Sequence, residues 1–195
     1  MSSGEKQPRA VVLPIAEKLV SILAPYCERI EIAGSLRRMK PEVGDIELVL
    51  IPKLGPDPAS LFGEDETFNL ALAKLNELVT AKTLEKRSFD DGLNRWGKRT
   101  QYARHVESGI AVDVFQQLPP AQFGVNFAIR TGSAEFTRSL VTQKHKGGYL
   151  PDNCFVRDGG VYCCLRNPSG VLVPMPDEID FFRFIGLPFV PPECR

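Results

Sequence analysis

The stretch "IAGSLRRMKPEVGDIELVLIP", Ile32 to Pro52, places two carboxylates, Asp45 and Glu47, directly after a glycine in an otherwise alternating apolar run. Polar groups in a buried strand cost free energy unless something pairs with them. Residues i and i+2 of a strand share a face, so the two carboxylates stand side by side, about 6–7 Å apart along the chain. Like charges held that close repel, and one pKa rises unless a cation lies between them. Hard divalent cations suit the position, because they take carboxylate oxygens together with phosphates and water. A third carboxylate, Asp113, stands alone in the apolar segment "GIAVDVFQQ". On a neighbouring strand it would complete a two-metal site.

Upstream, Gly34-Ser35 reads as a tight turn. A glycine lets backbone N–H groups approach a phosphate, and a helix N-terminus after it favours negative charge. Ser35 can donate its hydroxyl, and Arg37 or Arg38 can grip phosphate oxygens in a bidentate fork. The sequence does not separate the two arginines. Asp45 follows Ser35 by ten residues, directly behind Gly44. A triphosphate held by the turn would meet its metal ions on the next strand, which suits nucleotidyl transfer. A D-x-E pair alone equally describes the solvent face of an edge strand salt-bridged to Arg37 and Arg38. The joint pattern of turn, carboxylate pair and later lone Asp is the specific signal.

The rest of the chain reads as alternating helices and strands. Apolar residues at Val12, Ile15, Ala16, Leu19, Ile22 and Leu23 predict a helix over 10–24, ended by Pro25. Strands are expected at 30–33 and 45–51, then a Pro/Gly/Asp-rich loop over 52–66, then a helix from Phe68 to Val79. Three further strands are expected around 83–89, 98–106 and 110–117. "LPP" at 118–120 reads as a hinge between two halves, 1–118 and 119–195. Beyond it, helices are expected over 121–130 and 133–145, the second stopped by Gly147-Gly148. "FVRDGGVYCC" has a hairpin pattern turning at Asp158-Gly159-Gly160. "PDEIDFFRFIG" predicts a last short helix with acids in its first turn and Gly186 after it.

A chain of 195 residues, 43% apolar and 25% charged, suits a soluble globular protein with one core or two small subdomains. No run is long enough to span a membrane, and "MSSGEKQPRA" has no secretory pattern. The five cysteines show no metal-ligand spacing, so no zinc is expected, and they read as reduced thiols in an intracellular protein. His105 and His145 lack ligand-spaced partners and read as surface residues. The formal net charge is zero, but seven Lys/Arg against three acids fall between Lys82 and Arg104. That stretch reads either as a solvated face or as a phosphate-tracking surface.

With these motifs in place, "AGSLRRMKPEVGDIELVLIP" resembles the catalytic motif of the family X DNA polymerases, the polymerase beta-like nucleotidyltransferases. The resemblance continues through "VDVFQQLPPAQFGVNFAIRTGSAEFTRSL" to "FFRFIGLPFVPPECR", in the right order from about Ile30. It implies an α+β fold: a nucleotidyltransferase palm followed by a small thumb- or fingers-like subdomain that closes over the nucleotide. Carried over by motif position, Asp45, Glu47 and Asp113 would be the catalytic ligands of two Mg²⁺ ions, with Mn²⁺ able to substitute. Gly34, Ser35, Arg38 and Gly44 would hold the triphosphate. The implied reaction is in-line attack of a DNA 3′-hydroxyl on the α-phosphorus, with pyrophosphate leaving.

Several positions depart from the family pattern. Glu47 stands where an Asp is usual. Ile129-Arg130 replaces a Tyr-Phe pair ahead of Thr131-Gly132, at the nucleotide sugar and base, and Thr137 replaces an Asn. Ala111 replaces an Arg. Few residues precede the first helix, so the lyase and DNA-gripping modules of longer relatives are not expected. Lys98, Arg99, Arg104, Arg138, Lys144 and Lys146 are then candidates to hold DNA. The leading expectation is a monomeric, short-gap-filling DNA polymerase acting on gapped or primer-template DNA and nucleoside triphosphates. The alternatives are a template-independent transferase acting on RNA, protein or a small molecule, and a non-catalytic nucleic-acid-binding protein.

Overall fold

The computed structural model describes residues 5–56, 67–164 and 169–195. The expected loop over 52–66 therefore lies partly outside the described residues, at 57–66. A short strand β1 (Gln7–Pro8) leads into helix α1 (Arg9–Leu23), followed by β2 (Cys27–Ile32) and the single turn α2 (Gly34–Arg37). Next come β3 (Glu42–Val43), β4 (Asp45–Pro52), β5 (Leu54–Pro56), β6 (Thr67–Asn69) and α3 (Leu70–Thr80). β7 (Leu84–Lys86), β8 (Thr100–His105) and β9 (Ala111–Gln116) complete a five-stranded sheet ordered β2-β4-β9-β8-β7. β4 and β9 run parallel, and the other pairings in this sheet are antiparallel. The fold is mixed α+β, as the pattern of periods predicted.

Strand alternation divides β4 cleanly. Ile46, Leu48 and Leu50 point to one face, where they meet Val112 and Val114 of β9 and the apolar sides of α1 and α3. This first core also takes Val12, Ala16, Leu19 and Leu75. The opposite face carries Asp45, Glu47 and Asp113, then Val49 and Phe115 one step further on. The chain passes through a cis Pro119–Pro120 bond into α4 (Phe123–Thr131), whose Phe123 and Phe127 pack on Val49 and Phe115. α4 thus lies on the same sheet face as the carboxylates.

α5 (Ala134–Val141), the strands β10 (Cys154–Arg157), β11 (Gly160–Cys163) and β12 (Val171–Val173), and α6 (Glu178–Ile185) build a second core around Val125, Leu140, Val161, Phe181 and Phe182. Gly124 lets α4 and α6 approach closely, since a Cβ there would collide with the Asp177 backbone. The Asp180 carboxylate accepts from the Asp177 N–H at 3.0 Å, and Gly186 closes α6 at φ 78°. Among the described residues, no helix is long and apolar enough to cross a membrane.

Four sequence expectations change. α5 stops at Val141 rather than near Gly147, because Thr142 turns extended and accepts from the Leu150 N–H, drawing the chain into a strand-like bridge between Gln143 and Leu150. Gly147 instead closes the short turn Lys144–Lys146. The hairpin turns on Asp158 and Gly159, both with positive φ, and Gly160 already belongs to β11. Cys154 and Cys163, which face each other across that hairpin, form a disulfide rather than reduced thiols. His105 is buried, with its Nδ1 2.9 Å from the Ser108 hydroxyl, while His145 is exposed as expected and pairs with Asp152.

Candidate active site

The parallel register of β4 and β9 sets Glu47 directly beside Asp113, and Asp45 beside Ala111. Across β9, Tyr102 of β8 faces Asp113, and Arg104 faces Ala111. The three carboxylates predicted from sequence therefore share one patch of one face. Burial pushes Glu47 up to about 8, with Asp45 repulsion adding to it and Arg130 acting against it. Asp113 rises to about 6, again chiefly through burial, with Arg87 opposing. Asp45 is raised for the same reason, against Arg87 and Arg38. Burial here exceeds the counter-charge that the chain supplies.

Gly34 shapes the near wall. Its φ of +62° is a left-handed conformation, and a Cβ there would collide with the Glu47 carboxylate. Ser35 follows, with its hydroxyl buried and without a hydrogen-bond partner among the described residues. α2 is a single turn of four residues, too short for the helix-dipole contribution expected from the sequence. Any anion-holding capacity here comes from Ser35 and the neighbouring guanidiniums; Gly44 is half-buried between β3 and β4.

The structure separates the two arginines. Arg37 leaves the site: its guanidinium donates to both Glu178 oxygens, at 2.9 and 2.8 Å, and to the Thr131 hydroxyl at 2.7 Å. It also lies 3.8 Å over the Phe127 ring. Arg195 donates to the same Glu178 at 2.5 Å, so one carboxylate of α6 ties the turn of the first half to the end of the second. Arg38 stays with the carboxylates. It donates to the Thr131 carbonyl at 2.6 Å, keeps an unpartnered Nε, and acts electrostatically on Glu47 and Asp45.

Arg87 was absent from the sequence-derived site. It follows β7, two strands away from Asp113, and reaches across Tyr102 to form an ion pair with Asp113 at 3.0 Å. The angle leaves Asp113 Oδ1 without a directed hydrogen bond. The antiparallel β7–β8 pairing puts Arg87 on the Tyr102 side of the sheet, a placement that no local sequence pattern signals.

The expected sugar- and base-facing residues divide. Arg130 lies 3.7 Å over the Phe115 ring and directs its charge at Glu47 and Asp113. Ile129 packs against the second core. The Thr131 hydroxyl and carbonyl are taken by Arg37 and Arg38, and the Thr137 hydroxyl donates to the Ile129 carbonyl at 2.8 Å beside Gly132. Of the candidate DNA contacts, Lys98, Arg104, Arg138, Lys144 and Lys146 are exposed. Arg99 differs: it clamps the Leu118 and Pro119 carbonyls at 2.6 and 2.7 Å.

The donor set suits a hard divalent cation: three under-neutralised carboxylates and a buried hydroxyl without a hydrogen-bond partner among the described residues. As the side chains stand, no three or more His, Cys, Asp and Glu among the described residues group to hold an ion. Glu47 is folded onto Gly34, and Asp113 is engaged by Arg87. No curated protein matches the chain. Residues 127–195, which run from α4 through the second core to the buried Arg195, match the family model of the DNA polymerase beta thumb. Together with the motifs of the first half, that match supports a family X polymerase-like protein.

Proposed function

We propose that this chain is a metal-dependent nucleotidyltransferase that extends a DNA 3′-hydroxyl from a nucleoside triphosphate, filling short gaps. The observation that carries this reading is the in-register placement of Glu47 and Asp113 on adjacent parallel strands, with Asp45 on the same face beneath a thumb-type helix. We assign residues 1–118 to the catalytic unit and 119–195 to the closing unit. Asp45, Glu47 and Asp113 would hold the divalent ions, Mg²⁺ by the chemistry of the donors. When bound, such ions favour the deprotonated hydroxyl and neutralise charge on the leaving pyrophosphate.

The chain's own residues do the rest. Ser35 would offer its hydroxyl and Arg38 its unpartnered Nε to a triphosphate, beside the Gly34 backbone that the Glu47 carboxylate covers in this structure. Asp113, on the side of the cluster where Arg87 and Tyr102 lie, would face the acceptor strand. Arg37 joins the turn to the closing unit and orients it without touching the reacting atoms. Arg130, a cation where an aromatic residue is usual, favours weak selection of the sugar, which keeps a template-independent transferase as the second reading.

The test is single-nucleotide extension with Mg²⁺, offering each deoxy- and ribonucleotide on a gapped duplex and on the matching single strand. Complementary addition to the gap, lost by at least about a hundredfold in Asp113→Asn, is the expected result. Addition regardless of template supports the second reading. No addition to either acceptor overturns both as DNA-directed activities.

A further inference from the structure

Asp113 is steadied by a residue that the strand order, rather than the local sequence, delivers. Ala111, two positions earlier on the same face, is too small to reach it. Arg38 and Arg130 direct their charge chiefly at Glu47, and each keeps its Nε unpartnered. Arg87 alone makes an ion pair with Asp113 among the described residues, at 3.0 Å. Its own position is fixed from two sides. The Arg87 N–H donates to the Tyr102 carbonyl at 2.9 Å, and the guanidinium lies 5.2 Å from the Tyr102 ring centroid and 5.1 Å from that of Phe89. Those rings meet edge to face. A guanidinium held this way loses little freedom in gripping one carboxylate oxygen.

We propose that Arg87 is the positioning residue for Asp113: it holds one carboxylate oxygen so that the other is presented to a divalent cation. The proposal rests on the two-metal reading above. Residues that orient a metal ligand from behind typically affect affinity by about 10–100-fold. Removing a nearby cation by itself would strengthen metal binding, so the sign of the change separates orientation from simple repulsion.

The experiment titrates the full chain with Mn²⁺ in the absence of nucleotide and reads free Mn²⁺ by electron paramagnetic resonance, for the unsubstituted protein, Asp113→Asn, Arg87→Met, Arg87→Lys and the double variant Arg87→Met/Asp113→Asn. Methionine keeps aliphatic packing on Tyr102 and Phe89 while removing the charge. The expected result is at least about tenfold weaker Asp113-dependent binding in Arg87→Met, partial recovery in Arg87→Lys, and no further loss in the double variant beyond Asp113→Asn alone. Should Arg87→Met fail to fold, Arg87→Lys decides the matter, because a point charge without the fork gives an intermediate affinity. Unchanged or tighter Mn²⁺ binding in the Arg87 variants, or fully additive losses, overturns the positioning role while leaving the two-metal reading intact. Absence of any Asp113-dependent binding in the unsubstituted protein overturns the two-metal reading and the proposal with it.

Discussion

Glu178 and Glu47 are two largely buried glutamates in contact with arginine-rich surroundings, and they respond in opposite directions. Burial acts to raise the pKa of Glu178, but hydrogen bonds from Arg37 and Arg195 outweigh it and bring the carboxyl below the ordinary range. Glu47 meets a similar burial with Asp45 as a neighbour, and it is pushed up to about 8 although Arg130 and Arg38 act against the shift. The difference lies in directed bonds and in the neighbouring acids Asp45 and Asp113, rather than in the number of nearby cations. Two guanidiniums point their N–H groups at Glu178, whereas the arginines around Glu47 spend theirs on Thr131 or on aromatic faces. One cluster is complete without a ligand. The other is left wanting positive charge.

The contrast can be broken first at Glu178. Replacing it by alanine strands Arg37 and the fully buried Arg195 side chain, and should cost about 3–5 kcal/mol in urea unfolding. A loss below about 1 kcal/mol would show that the complete cluster is decorative. Gly34→Ala comes next, since it forces a side chain into a left-handed position and onto the Glu47 carboxylate. A stability loss of about 1–3 kcal/mol is expected, together with weaker nucleotide binding by equilibrium titration. Normal binding in that variant would remove Gly34 from the site.

The smallest effect is the dependence of stability on pH. Glu47 and Asp113 hold their protons more tightly folded than unfolded, so their contribution is present at low pH and lost as pH rises through about 6 and then about 8. In chelator, the thermal midpoint should fall between about pH 5 and 8 by a few degrees, and Glu47→Gln should flatten the upper part. Glu178 has the opposite sign: its contribution is lost only as pH falls through its lowered value. A midpoint that rises across the same window would contradict the assignment of the raised carboxylates.

The sheet and the carboxylates were legible because a period of two is a local property. Asp45, Glu47 and Asp113 declare their face by alternation with Ile46, Leu48, Val112 and Val114, and the structure sets Glu47 in register with Asp113. Arg87 was hidden because its contact depends on the order β9-β8-β7, which no local pattern states. The Arg37–Glu178–Arg195 joint spans most of the chain: Arg37 reads equally well as a phosphate ligand or a surface charge, and no local pattern marks Arg195 as a partner of Glu178. The disulfide has a partial signal in the hairpin pattern. A two-residue turn at Asp158-Gly159 places 157 opposite 160, and hence Cys154 opposite Cys163. The adjacent Cys163-Cys164 pair and the absence of a secretory pattern pointed away from it.

Trp96 is the chain's lone tryptophan. Its indole N–H donates to the Asn76 side chain at 2.9 Å, Lys86 lies over its ring, and it packs against the first core beside the strand that leads to Arg87. The molecule therefore carries one indole, placed on the first core and absent from the second, and red-edge excitation selects it over the four tyrosines. Denaturation followed by its emission reports the five-stranded sheet, whereas circular dichroism averages over every helix and strand. Coincident curves would mean that the buried Glu178 joint makes the two cores melt as one, and separated curves would give the stability of each.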